Sequence, residues 1–178
     1  MTKHTAQREP LKIKNSLVCA LLASGSATAI VYLIPQLEIQ LFARGAATLA
    51  GLLSGAPVFP DASGWIMPIL SQRALINGAC SGTDFYLLTA TLIAWHLPGY
   101  FKRPHLSIPL ALLGGLIFTI SVNALRILCV AHAHYWIIPN VPENYANFIH
   151  MSLGAAVFLP ALILLNIAFE YHDRKRSC

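Results

Sequence analysis

Four apolar stretches, at about residues 16–34, 83–101, 108–131 and 147–169, run through this chain and restrict what it can fold into. A helix rising about 1.5 Å per residue needs roughly 20 apolar residues to cross about 30 Å of hydrocarbon, and the four stretches meet or approach that length, the second being the shortest. Of 178 residues, 56% are hydrophobic and only 11% charged, against about 25% charged in an average soluble domain. So little polar surface cannot shield a body of this size from water. The expected fold is an all-α integral membrane protein, a single domain over 1–178 with about four transmembrane helices and the lipid bilayer around it. The first stretch follows a basic region, as a secretion signal does, but no small-x-small cleavage site followed by a soluble domain succeeds it. It reads as a retained anchor.

The net charge of +5 would suggest nucleic acid if it covered one soluble face. Instead the bases cluster in residues 3–14, at Lys102 and Arg103, and in 174–176, each cluster beside an apolar run. That is membrane patterning, and no nucleic-acid partner is expected. With four spans, the amino terminus, the 98–107 loop and the carboxyl terminus share one side and hold nearly all the Lys and Arg, while the loops of the other side hold only Arg44 and Arg73. The positive-inside rule makes both termini cytoplasmic. The outer side then receives a long segment, 35–82, and a short loop, 132–146.

Within the outer segment, Leu37, Leu41, Leu49, Leu52 and Leu53 recur with Glu38, Gln40 and Arg44 between them. This pattern predicts a helix over 36–53 that lies on or dips into the interface, with a fifth, short span as the competing reading. Turn residues over 55–64 and an extended pattern from Trp65 predict a small hairpin-like element that leads to Cys80.

Cys19, Cys80, Cys129 and Cys178 form neither a CxxC pair nor a zinc-ligand spacing. Among them Cys80 has the surroundings of a nucleophile. It lies in Asn77-Gly-Ala-Cys-Ser-Gly82, where small neighbours allow a substrate backbone to approach the sulfur. It also precedes a helix whose positive end favours thiolate; packing as a small apolar residue is the plainer alternative. Arg126 stands in the outer half of the third span, at a depth where an arginine needs a partner or a task, although snorkelling to headgroups is within its reach. Asn123, three residues earlier on the same helical face, is placed to orient the guanidinium, bind a substrate carbonyl or hydrogen-bond another helix. His150 opens the fourth span and suits proton transfer in either direction. Asp84, one turn beyond Cys80, would pair with Arg126, orient His150 or simply serve the helix dipole. A metal site drawn from His132, His134 and Glu143 rests on weak spacing, so no metal and no cofactor is expected.

Ala79-Cys80-Ser81-Gly82 at the head of one membrane helix, Asn123-Ala-Leu-Arg126-Ile in the next and His150 with Gly154 in the last resemble the Cys, Arg and His motifs of the exosortase/archaeosortase family. The segment beginning Gly55-Ala-Pro-Val is similar to the stretch that leads to the family's cysteine, and the likeness runs over about 49–159. The resemblance implies a membrane cysteine protease or transpeptidase in the bacterial cytoplasmic membrane with its active site facing outward. Its substrates would be membrane-anchored proteins that end in a short sorting signal such as PEP-CTERM, a membrane helix and a basic tail. On this chain it makes Cys80 the nucleophile, His150 the proton-transfer group and Arg126 the stabiliser of developing negative charge, with Asn123, Ser81, Gly82 and Asp84 in support. Two departures stand out: four spans make a small member, similar to the compact type-K exosortases, and Thr83-Asp84-Phe85 after the cysteine motif differs from larger relatives. Two other classes fit the residues: a non-catalytic protein that escorts partner helices, and a thiol oxidoreductase that pairs Cys80 with Cys129.

Overall fold

The structure, a computed structural model, describes residues 8–177 apart from 35, 71 and 102–105. Among the described residues the chain is mostly helical, with five α-helices and one small antiparallel sheet. Helix α1 (Arg8–Leu33) is followed by a π-helical segment (Glu38–Ala43) that continues into α2 (Arg44–Ser54). Strands β1 (Phe59–Asp61), β2 (Gly64–Ile69) and β3 (Gln72–Ile76) come next, then α3 (Thr83–His96), α4 (Ser107–Trp136) and α5 (Glu143–Ser177).

Three segments are long and apolar enough to cross a membrane: Ile13–Leu33 of α1, Ser107–Trp136 of α4 and Phe148–Lys175 of α5. They point to a multi-pass membrane protein. The second expected span is shorter than the sequence reading placed it. Helix α3 ends at His96, where Leu97–Gly99 tightens into a 3-10 turn; Pro98 has no N–H to donate and disfavours an α conformation at the residue before it. Fourteen α-helical residues reach only about 21 Å. The expected hairpin is likewise larger than foreseen, a three-stranded meander in the order β1-β2-β3.

Contacts divide the chain into two compact units. One comprises 1–33, 84–118 and 165–178. Its core is made of small residues: Ala23, Ala94 and Ala111 are fully buried with Ile93, and Leu97, Ile108, Leu165 and Phe169 pack on them. A Cβ on Gly115 would stand 3.0 Å from the Ala90 Cα, the close backbone approach that small residues permit between apolar helices. His96 lies flat against Phe169, with ring centroids 4.9 Å apart, and its ring bonds the Asn166 side-chain oxygen at 3.2 Å.

The other unit comprises 34–83 and 119–164. Ala43 at the end of the π-helical segment and Ala46, Ala47 and Ala50 of α2 recur at helical spacing and form one buried stripe, packed with Ala124, Ile127 and Ala131 of α4 and with Met67, Ile69 and Ile76 of the sheet. Of the leucines that mark this helix in the sequence, Leu49 packs against that core, but the last two do not. Leu52 and Leu53 are 77% and 66% exposed, so α2 turns its alanines inward and these large apolar side chains outward. Tyr135, Trp136 and Tyr145 stand exposed around the α4–α5 turn, the distribution of an aromatic belt at a membrane–water interface.

Candidate functional site

The loop between β3 and α3 is built around Cys80. Gly78–Cys80 forms a 3-10 turn in which the Cys80 N–H donates to the Asn77 carbonyl at 2.9 Å and the Ser81 N–H to the Gly78 carbonyl at 3.0 Å. Gly82 then takes φ +74°, a left-handed conformation natural to glycine, and a Cβ there would meet the Asn123 side chain at 3.3 Å. Both restrictions apply at once. The loop therefore passes close over α4 only with glycine at 82.

Asn123 holds that loop from below. It is fully buried, and its Nδ2 donates to the Cys80 carbonyl at 2.6 Å and to the Ser81 carbonyl at 3.0 Å. Its Oδ1 accepts from Arg126 Nη1 at 3.5 Å. On the other side Ser81 Oγ and Thr83 Oγ1 are 3.3 Å apart, and the Thr83 hydroxyl donates to Glu38 Oε1 at 3.1 Å. Polar side chains from the π-helical segment and from α4 thus fix the cysteine loop. Replacing Asn123 with alanine removes two bonds to loop carbonyls, each worth about 1 kcal/mol net, so a loss of about 2 kcal/mol is expected in thermal unfolding of the detergent-solubilised protein. A loss below about 0.5 kcal/mol would deny Asn123 this role.

Arg126 reaches three groups besides Asn123. Its Nη2 lies 3.4 Å from His150 Nε2; because a guanidinium only donates, the contact requires the lone pair on Nε2 and the hydrogen on Nδ1. Its Cζ sits 5.4 Å above the Phe158 ring. Its Nε, buried without a hydrogen-bond partner among the described residues, faces Gly154, where a Cβ would come within 3.0 Å. Glycine at 154, one turn after His150, makes room for the guanidinium. Helix α4 extends past residue 131 to Trp136, so Arg126 stands ten residues before its end.

Cys80, Arg126 and His150 line one cavity of about 300 Å³, between β3 on one side and Ile127, Val130 and Ala131 of α4 on the other. His134 lines it as well, its ring edge-on to His150 with centroids 6.0 Å apart. Asp84 is exposed in the first turn of α3, where a carboxylate complements the helix dipole. Cys80 and Cys129 are free thiols. Among the described residues no three His, Cys, Asp or Glu side chains are grouped to hold a metal; His132 instead bonds the Leu128 carbonyl of its own helix at 2.8 Å.

Sequence reasoning overlooked Glu38, Thr83, His134 and Phe158 as parts of this site. Glu38 carried a signal, since it is one of only seven acids in the chain and interrupts an apolar pattern. Phe158 carried none. An aromatic residue in a membrane helix is unremarked until its neighbour is known. No family model matches this chain, and no match emerges among curated proteins or solved structures.

Proposed function

We propose that the protein is a membrane cysteine protease or transpeptidase that cleaves a carboxy-terminal sorting signal from exported, membrane-anchored proteins. The observation that carries this reading is the convergence of Cys80, Arg126 and His150, from a loop and two helices far apart in sequence, on one cavity. The motifs around the three residues resemble those of exosortases, which supports the substrate class. In this reading α1, α4 and α5 span the bilayer. Helix α3 with its 3-10 extension, about 27 Å in all, makes a thinner fourth crossing. The basic termini are cytoplasmic, α2 rests with its outward leucines in the outer interface, and the site opens on the outer side near the belt of Tyr135, Trp136 and Tyr145.

The chemistry begins with a substrate carbonyl beside Cys80. Arg126 exchanges its bond to His150 Nε2 for the carbonyl oxygen, and the released Nε2 accepts the thiol proton. The sulfur bonds to the carbonyl carbon, and the guanidinium stabilises the oxyanion that forms. Collapse breaks the C–N bond, the departing amine takes the proton from His150, and a thioacyl enzyme remains. Water completes proteolysis; an amine or a lipid nucleophile completes transfer.

The test is co-expression with a protein that ends in a sorting signal, a membrane helix and a basic tail. Wild type is expected to shorten it, and His150→Ala to slow the cut by about 10² to 10⁴. Undiminished cleavage by an inserted His150→Ala protein would remove the proton-transfer role. Gly154→Ala probes the same machinery indirectly, because the new methyl group displaces the guanidinium while adding little else. A misplacement of this kind lowers the cleavage rate by about tenfold or more, and an unchanged rate would show that Arg126 tolerates the shift.

A further inference from the structure

The cavity is unusual in how β3 borders it. All five residues of the strand, Gln72–Ile76, line the cavity in succession, and Cys80 follows at the same wall. A strand that presented a face would contribute alternate residues, because its side chains alternate between faces. Consecutive residues mean that the cavity runs along the strand's edge.

The sheet register shows what that edge offers. In an antiparallel ladder bonded and non-bonded pairs alternate. Pro68, which has no N–H, pairs with Arg73, so that pair is a non-bonded one. The bonded pairs are then Ile69 with Gln72, Met67 with Ala74 and Trp65 with Ile76. The N–H and C=O groups of Arg73 and Leu75 therefore point away from β2, and among the described residues neither makes a backbone bond outside the sheet. The opposite edge is blunted. By the same alternation, the residue of β1 that points outward is Pro60, paired with Trp65; it offers no donor, one of the ways proteins close an edge to pairing.

We infer that the substrate binds as an extended peptide that adds a fourth strand to the sheet along β3, hydrogen-bonded to the backbone of Arg73 and Leu75, and is thereby led to Cys80. This rests on Cys80 being the nucleophile. Strand addition takes its affinity from main-chain bonds and leaves side-chain choice to flanking pockets. Here Ile127, Val130 and Ala131 of α4 form the facing apolar wall. The side-chain amide of Gln72 bonds the His134 carbonyl at 3.5 Å, which spans the groove at the end away from Cys80. The recognised segment is thus short, extended and rich in free backbone N–H groups.

The experiment compares electrophiles on the intact, detergent-solubilised chain. Acetyl-Ala-Ala-Ala chloromethyl ketone, its backbone N-methylated analogue and iodoacetamide are each timed on Cys80 by peptide mass mapping, with every rate normalised to that on free cysteine. The tripeptide is expected to alkylate Cys80 at least tenfold faster than iodoacetamide and to lose most of that advantage on N-methylation. In Leu75→Pro and Arg73→Pro, which remove an outward donor and spare the β2 ladder, the ratio of tripeptide to iodoacetamide rate falls about fivefold, the effect of one hydrogen bond. If N-methylation leaves the tripeptide rate unchanged in wild type, or both proline variants keep the wild-type ratio, strand addition on β3 is overturned and the role of Cys80 stands. If iodoacetamide fails to reach Cys80 in the folded wild type, the nucleophile reading itself is overturned.

Discussion

Cys80→Ala is expected to abolish cleavage of a co-expressed signal-bearing substrate, a fall of at least about 10³ in rate, while the protein inserts and accumulates as wild type does. Cys80 is half-buried beside the cavity, and the turn around it is held through backbone groups: its own N–H, its carbonyl and that of Ser81. Alanine preserves all of these. The variant therefore separates chemistry from folding, which few substitutions in a membrane core can do. Cys80→Ser is expected to be nearly as inactive, because a hydroxyl surrenders its proton to an imidazole far less readily than a thiol does and is the weaker nucleophile. Cleavage retained by an inserted Cys80→Ala protein would return the chain to the helix-escort reading. Loss of cleavage in Cys129→Ala as well, with a disulfide between the two thiols, would favour a redox role.

The second large effect belongs to Arg126→Lys. Lysine keeps the positive charge but offers a single ammonium in place of a planar fork, and that fork reaches Asn123 through Nη1 and His150 through Nη2 while its face lies over Phe158. A point charge cannot hold these positions together. A loss of about 10² to 10³ in the cleavage rate is expected, the effect of removing one preorganised oxyanion donor. If lysine retained more than half the activity, charge alone would suffice and the fork would be irrelevant. If Arg126→Ala retained it, the arginine would serve packing.

Much of the architecture was legible because burial in lipid leaves a coarse record. Long apolar runs ended by basic clusters marked α1, α4 and α5, although each helix runs five to eight residues past the expected span at one end, and the turn-rich stretch before Cys80 marked the position of the sheet. The boundary of α3 was less visible, since Leu97 and Phe101 continue the apolar pattern through a point where Pro98 stops the helix. The inward face of α2 was missed for a different reason. Its leucines dominated the pattern, whereas close packing on α4 and the sheet selected alanines, which carry almost no hydropathy signal. In the site, an isolated arginine, histidine or cysteine in an apolar run stands out at once. Gly154 was visible as part of the histidine motif, but its fit beside the guanidinium, like the backbone edge at Arg73 and Leu75, shows only once the neighbouring element is in place.

The most direct measurement is the covalent state of Cys80 during turnover. Cells that co-express the protein and a signal-bearing substrate are quenched in acid, and the purified chain is mapped by mass spectrometry. The expected result is the amino-terminal fragment of the substrate joined to Cys80 as a thioester that hydroxylamine releases, absent from Cys80→Ala. A substrate adduct on any other residue, or a shortened substrate in cells that hold only Cys80→Ala, would contradict it.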